Sequence, residues 1–396
     1  MVDDAVMGMA ERRRASAGQF DAAVLLSEMD AGAIDACTSY VSAEAYLSPQ
    51  LFAQEKSRIF GKLPIAVASA KELPQPGSYL SIDIAGLAVV LTRNKAGEVK
   101  AFLNACSHRG ARLAEPGASE CALKISCPYH AWTYNLDGKL IGVPRQELFT
   151  DFDKAAYSLK ALPCREAGGL VWVSLDPDVA VDDDSIGREL IGDFDAIGLG
   201  DMRIFRAQNF EVAANWKLIE DAFLEGYHVI RLHAKTLARF FVDAPQSIER
   251  IGRHLRQSSG SRRGFNRADV SPVWDELRKS VVYAYIAFPN VVVVTSPAYV
   301  SLMFTSPVSA DRTYIRYMMM VDGKGDVPEQ ESLYERSYAL MSEAFGNEDF
   351  RAAELSQKGL ETGALKALTL GGMEQGVRRF HDIIEEFVHA EGATSR

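Results

Sequence analysis

Cys106-Ser107-His108-Arg109-Gly110 and Cys127-Pro128-Tyr129-His130-Ala131-Trp132 decide the reading of this chain. Each stretch pairs a cysteine with a histidine, and residues 109–126 separate the two pairs. Two thiolates on one iron and two imidazoles on the other make a [2Fe–2S] cluster of mixed ligation. Exchanging anionic thiolates for neutral imidazoles raises the reduction potential well above that of an all-cysteine cluster. A centre so tuned takes an electron from a reductase and passes it to an oxygen-activating metal. The alternative for four such residues is a closed tetrahedral zinc site. Against zinc stand the tight C-x-H spacing of the first pair and the flanks Arg109-Gly110 and Pro128-Tyr129.

The surroundings support a cluster domain. Gly110 and Gly117 permit backbone angles that a Cβ forbids, and Pro128 stiffens the second loop. Ala131-Trp132-Thr133-Tyr134-Asn135-Leu136 alternates as a strand, and Asp137-Gly138 turns it into Lys139-Leu140-Ile141. Trp132 and Tyr134 read as strand packing rather than as cofactor contacts. Further strands are predicted at 78–82, 88–92, 99–103 and 170–175, where β-branched and aromatic residues concentrate. The cluster domain is placed at 60–175, after an N-terminal lead-in over 1–59 and before a second domain over 176–396.

At 396 residues the chain is too long for one small core, and its 47% hydrophobic and 24% charged content is that of a soluble globular protein. A net charge of −10 argues against nucleic acid, which wants a basic stripe. Three of the five cysteines, Cys37, Cys121 and Cys164, remain without a disulfide framework. The basic Glu11-Arg12-Arg13-Arg14 is followed by only a short apolar run, Ala22 to Leu26, too short for a secretory signal. No apolar stretch approaches a membrane span. A cytoplasmic protein is expected.

Beyond Asp182-Asp183-Asp184, read as a polar linker, Phe205–Val212 is predicted to be a strand, and Asn215 to cap a helix through Trp216-Lys217-Leu218-Ile219-Glu220-Asp221. Strands follow at 281–285, 291–295, 299–305 and 314–321, then helices near 328–345 and 347–390. Antiparallel strands followed by long helices make an α+β domain with helices covering a sheet. Of only seven histidines, His228 and His233 share one segment. Helical neighbours lie three or four apart, so a five-residue spacing converges only if the helix loosens between them. Two imidazoles and a carboxylate on one face of a metal form the facial triad of non-haem Fe(II) oxygenases. Taken alone, the pair reads first as structural or surface histidines; the cluster pattern upstream turns the reading to iron.

The chain resembles the catalytic α subunit of a Rieske non-haem iron oxygenase, also called a ring-hydroxylating oxygenase. The resemblance spans about Tyr46 to Phe380. It rests on Pro76-Gly77-Ser78-Tyr79, Asn104 to Ala111, Cys127 to Tyr134, Asn215-Trp216-Lys217-Leu218 and Glu225 to His233. It implies a β-rich Rieske [2Fe–2S] domain followed by a catalytic domain of the helix-grip type, an antiparallel sheet wrapped around a long helix, with the lead-in packed on the catalytic domain. By resemblance, Cys106, His108, Cys127 and His130 hold the cluster, and His228 and His233 hold the mononuclear iron. The family's third ligand is an aspartate five residues before a Glu that stands three before a Gln. Asp349, Glu354 and Gln357 match, with Glu348 as the rival. Glu225, three residues before the first iron histidine, matches the acid that bridges a cluster histidine of one subunit to an iron histidine of its neighbour. Glu at that place is typical of members that oxidise quaternary ammonium compounds; many ring dihydroxylating members use Asp. The chain departs from the family at Asp221-Ala222, where Glu-Asn is common, at Ser107, where Arg is common, and at Leu63, where Trp is frequent. Asp221 is retained as a polar neighbour of the iron.

The resemblance implies a terminal oxygenase that uses O₂ and electrons from NAD(P)H, delivered by a separate flavin reductase, a ferredoxin or both. It implies a homotrimer, with or without a small β subunit. The apolar residues Phe223, Leu237, Phe240, Phe241, Val242, Tyr283, Val293 and Phe304 are candidate pocket residues. They suggest ring hydroxylation or N-/O-dealkylation of a small aromatic compound. The alternatives are a quaternary-ammonium oxygenase of the carnitine or betaine kind and an electron carrier without oxygenase activity. Arg231, Arg239, Arg250 and Arg253 are candidates for clamping a substrate carboxylate.

Overall fold

The computed structural model describes residues 13–29, 34–117, 119–262, 270–323 and 328–389. Glu11 and Arg12 lie outside them. Three antiparallel sheets build the part around the cluster motif. The largest orders Ala161–Leu162, Val99–Leu103, Leu87–Arg93, Ser78–Ile84 and Ser119–Cys121. A small sheet of Lys124–Ser126, Thr133–Asn135 and Leu140–Gly142 carries the second Cys–His loop at its first connection. Gly138 turns its second hairpin at φ +76°, a conformation open to glycine. A third sheet joins Cys164–Ala167, Leu170–Val173 and Ile65–Ser69.

The second part is built on a seven-stranded antiparallel sheet. Its order is Arg203–Val212, Arg312–Val321, Tyr299–Ser309, Val291–Thr295, Val281–Ala287, His254–Ser261 and Phe241–Ile251. The helix Gln375–His389 lies against it and buries Val377, Phe380, Ile384 and Val388. Those positions repeat at helical spacing, so one apolar stripe faces the sheet. On the other face sits the helix Ala17–Glu28. Tyr283 Oη donates to the Gln19 carbonyl at 2.5 Å, and Gln19 Nε2 donates to Tyr285 Oη at 3.0 Å.

Three expectations need correction. The strands Phe241–Ile251 and His254–Ser261 were not foreseen, because buried positions of the second are polar: Arg256, Gln257, Ser258 and Ser261. They send no hydrophobic alternation to read. The span 347–390 is not one helix. A π-turn over Ala344–Asp349 leads into Phe350–Glu361, the strand Ala367–Leu370 pairs with Ser39–Ser42, and only then does the last helix start. Gly363 at φ +70° marks the break. Asp182-Asp183-Asp184 is not a linker but a helix start, with Asp182 Oδ1 accepting the Ser185 N–H at 2.8 Å.

Candidate active site

The two Cys–His stretches form matching loops. Gly110 N–H donates to the Cys106 carbonyl, and Cys106 N–H to the Ala111 carbonyl, both at 2.8 Å. Ala131 N–H donates to the Cys127 carbonyl at 3.0 Å, and Cys127 N–H to the Trp132 carbonyl at 2.8 Å. Gly110 and Ala131 close the turns at φ +75° and +56°. The loops face each other, with the His108 and His130 rings 4.7 Å apart and both thiols buried. Burial, with the neighbouring His130 and Arg109, pushes the His108 imidazole down, toward the neutral form that ligates metal. Its Nδ1 is buried without a hydrogen-bond partner among the described residues. A buried ring nitrogen without a partner, in a loop that also carries a buried thiol, fits a cluster ligand.

Trp132 and Tyr134 do more than pack a strand. The Trp132 ring stacks on His108 at 4.7 Å, within 8° of parallel. Tyr134 Oη lies 3.3 Å from Cys106 Sγ and accepts the Ser107 N–H at 3.0 Å. Such contacts orient ligands and adjust a cluster's potential.

The second centre is assembled around the capped helix Trp216–Asp221. Asn215 Oδ1 accepts the Lys217 N–H at 3.0 Å, as the sequence suggested. Trp216 Nε1 and Lys217 Nζ both donate to the buried Glu55 carboxylate, at 2.9 and 2.5 Å. His228 and His233 flank the single turn Val229–Leu232. That short helix is the loosening their five-residue spacing requires, and their ring centroids stand 5.2 Å apart.

Asp349 ends the π-turn and points at them. Its Oδ1 is 3.6 Å from His228 Nε2 and 3.1 Å from His233 Nε2. Glu354 and Gln357 explain how that helix is placed. Gln357 Oε1 accepts the Asn215 N–H at 3.1 Å, and Glu354 Oε1 the Ala213 N–H at 3.3 Å. Both tie the helix carrying Asp349 to the start of the segment carrying the histidines.

The outer nitrogens settle the tautomers. His228 Nδ1 faces Glu225 Oε1, whose Oε2 accepts the His228 N–H at 3.0 Å. His233 Nδ1 is 2.6 Å from Glu348 Oε2. A carboxylate on Nδ1 requires the proton there, so in a neutral ring each Nε2 presents a lone pair. Two lone pairs and a buried carboxylate oxygen without a hydrogen bond converge within 4.8 Å. That set fits a divalent cation of the facial-triad kind. Burial alone would lower both imidazoles, but the acids outweigh it: Glu225 and Asp349 raise His228, and Asp349 and Glu348 push His233 up to about 9. Metal entry therefore displaces protons.

Asp221 takes another place than expected. Its Oδ2 accepts from Tyr46 Oη at 2.7 Å, and its Oδ1 is 3.3 Å from His381 Nε2; it is not among the residues lining the cavity beside the triad. No sequence signal pointed to that buried trio.

A cavity of about 380 Å³ opens beside the triad. Phe223, Leu237, Phe240, Phe241 and Val242 line it, as expected; Tyr299 and Phe345 add two more rings. Tyr283, Val293 and Phe304 do not. They point into the core on the opposite face of the sheet, while their neighbours Val282, Ala284 and Val294 face the cavity. Side chains alternate along a strand, and the assumed parity was off by one. Glu225 and Asp243 are acids of the lining, and among the described lining residues there is no lysine or arginine. Of the proposed clamping residues, Arg250 pairs with Glu386 at 2.6 Å, Arg253 donates to the Pro64 carbonyl at 3.0 Å, and Arg231 lies 3.7 Å from Asp243. The Arg239 guanidinium stacks 4.8 Å from the Phe240 ring centroid.

Comparison with known families matches residues 64–154 to the Rieske [2Fe-2S] domain and residues 199–390 to the ring hydroxylating alpha subunit (catalytic domain). The carnitine monooxygenase oxygenase subunit of Escherichia coli (strain K12) is 27% identical over 360 residues, covering 87% of this chain and 93% of that one. The glycine betaine monooxygenase oxygenase subunit of Chromohalobacter salexigens is 34% identical over 193 residues, 48% of this chain and 42% of that protein. A crystal structure of a quaternary ammonium Rieske monooxygenase superposes with a TM-score of 0.76 at 24% identity, covering 91% of this chain and 98% of the other.

Proposed function

Because the chain belongs to the α subunits of the Rieske ring-hydroxylating oxygenases, we propose that it is the terminal oxygenase of a system oxidising a carbon bonded to a quaternary ammonium nitrogen. In this reading Cys106, His108, Cys127 and His130 hold the [2Fe–2S] cluster, and His228, His233 and Asp349 hold the mononuclear iron. The observation carrying the substrate class is the cavity wall. Five aromatic rings and the acids Glu225, Asp243 and Asp349 surround it, with no lysine or arginine among the described lining residues. An alkylated cation gains roughly 0.5–2 kcal/mol over such a ring face. An anionic aromatic finds no lysine or arginine there to pair with. The small aromatic substrate expected from the sequence rested on the same apolar side chains, which serve N-methyl groups equally well. Carnitine and glycine betaine monooxygenases among the relatives support the same class.

Iron held by His228, His233 and Asp349 would supply the activation of O₂, with electrons delivered through a cluster held by Cys106, His108, Cys127 and His130. The residues of this chain do the rest. Phe240, Phe241 and Tyr299 seat the cation and exclude water. Glu225 and Glu348 hold the ring protons of the two iron histidines away from the substrate side. Hydroxylation of the carbon beside nitrogen sends one oxygen atom into the substrate and one into water. The carbinol then collapses, its C–N bond breaking to release an aldehyde and a tertiary amine. Glu225, partly exposed at the end of its segment, is the proposed contact for a cluster histidine of a neighbouring subunit, in a trimer served by a reductase. An electron carrier alone would have no use for a cavity beside a metal triad. Among the described residues, no helix is long and apolar enough to cross a membrane.

The test is oxygen uptake by the purified protein with a reductase and NADH. Carnitine, glycine betaine and a simple alkyltrimethylammonium ion are compared with neutral aromatic compounds. Uptake coupled to tertiary amine and aldehyde release supports the proposal. Coupled turnover of aromatics alone, giving diols or phenols, would restore the aromatic reading.

A further inference from the structure

Two neighbouring acids, Glu348 and Asp349, reach opposite edges of one imidazole. Asp349 Oδ1 approaches His233 Nε2 at 3.1 Å, while Glu348 Oε2 lies 2.6 Å from His233 Nδ1. Successive helical side chains diverge by roughly 100°, so adjacent residues can straddle a ring. The π-turn Ala344–Asp349 sets their rotation. Glu348 Oε2 also accepts from Thr236 Oγ1 at 2.5 Å. Thr236 is itself buried and follows His233 by one turn, its N–H donating to the His233 carbonyl at 3.0 Å. The same short segment thus supplies both the ligand and the hydroxyl that orients the ligand's partner.

We infer that Glu348 is not the iron ligand but the positioning residue of His233, held by Thr236, and that it sets how tightly the mononuclear site keeps its metal. The inference rests on the reading that His228, His233 and Asp349 form that site. The physical reason is common to metal-bound histidines. A carboxylate on the outer N–H fixes the tautomer and the ring plane and makes the inner nitrogen a better donor. The two histidines are braced separately: Glu225 serves His228 and Glu348 serves His233. Removing Glu348 therefore weakens the metal site while leaving His228 and its acid in place.

The experiment titrates Co(II), and Fe(II) under anaerobic conditions, into protein stripped of its mononuclear metal but retaining the cluster. Wild type is compared with Glu348→Gln, Glu348→Ala, Thr236→Val and Asp349→Ala. Glu348→Gln keeps an acceptor and loses the charge; we expect metal affinity to fall about tenfold. Glu348→Ala loses both and should fall on the order of tenfold to a hundredfold. Thr236→Val should fall less. The electronic spectrum of the Co(II) form and the EPR of the Fe(II)–nitric oxide adduct should change in the Glu348 variants, while the signal of the reduced cluster stays as in wild type. An intact cluster signal with native circular dichroism shows that a variant has folded. Wild-type affinity and spectra in both Glu348 variants would overturn the inference. Failure of wild type itself to bind metal, or retention of binding by Asp349→Ala, would instead overturn the reading of the triad.

Discussion

Glu220→Gln should make the protein more stable at neutral pH than the natural sequence. Glu220 is wholly buried. Its Oε1 accepts from Thr305 Oγ1 at 2.7 Å, and its Oε2 has no partner among the described residues. Burial pushes this carboxyl up to about 8 from 4.5, against the Thr305 hydrogen bond and with help from Asp221. The folded protein therefore keeps Glu220 protonated, while the unfolded chain ionises above 4.5. Stability from this group is full below pH 4.5 and is lost as pH rises toward 8. With 1.36 kcal/mol per unit, the loss is about 3 kcal/mol at pH 7 and about 5 kcal/mol above pH 8. Glutamine has the same shape, still accepts from Thr305 and does not titrate. Urea unfolding followed by tryptophan fluorescence should give equal stabilities near pH 4.5. The variant should gain by about those amounts at pH 7 and 8. Parallel pH profiles for the two proteins would refute a neutral, buried Glu220.

Other consequences follow from particular contacts. His254 is buried, and burial together with Arg253 lowers it to about 3. Folded His254 stays neutral while the unfolded histidine protonates below its usual 6.5, so stability falls as pH drops from about 6.5 toward 3, by about 2 kcal/mol at pH 5; acid titration of the unfolding midpoint, flattened in His254→Gln, checks this. Lys217→Met should cost about 3–5 kcal/mol, because it leaves the Glu55 charge buried without a cation, with only the Trp216 N–H on it. Adding Glu55→Gln, which removes the charge and still accepts from Trp216 Nε1, should recover most of that loss in denaturant melts, and a loss as large in the double variant would contradict the pairing. Gln357→Leu should cost about 1–3 kcal/mol by leaving the Asn215 N–H unpaired. It should also lower metal content at the mononuclear site, since it loosens the helix carrying Asp349; iron analysis with the cluster intact reads this directly.

The sequence by itself determined whatever is local. The two Cys–His loops, their Gly110 turn, the hairpin at Asp137-Gly138 and the Asn215 cap each span a few residues, so backbone sterics and short-range hydrogen bonds specify them. The histidine pair was legible for the same reason, although the loosened turn between them was not. Matching Asp349 needed the family's Glu354 and Gln357 spacing; only the fold shows why that spacing matters, with both side chains clamping 213–215. Tertiary structure decided everything that depends on which face a residue presents. It set the parity that turned Val282 and Val294, rather than Tyr283 and Val293, toward the cavity. It paired Ser39–Ser42 with Ala367–Leu370, and it drew Asp221 to Tyr46 and His381. It also gave Glu348 and Asp349 opposite edges of one ring, because the π-turn that rotates them is fixed by packing and not by the two acids themselves.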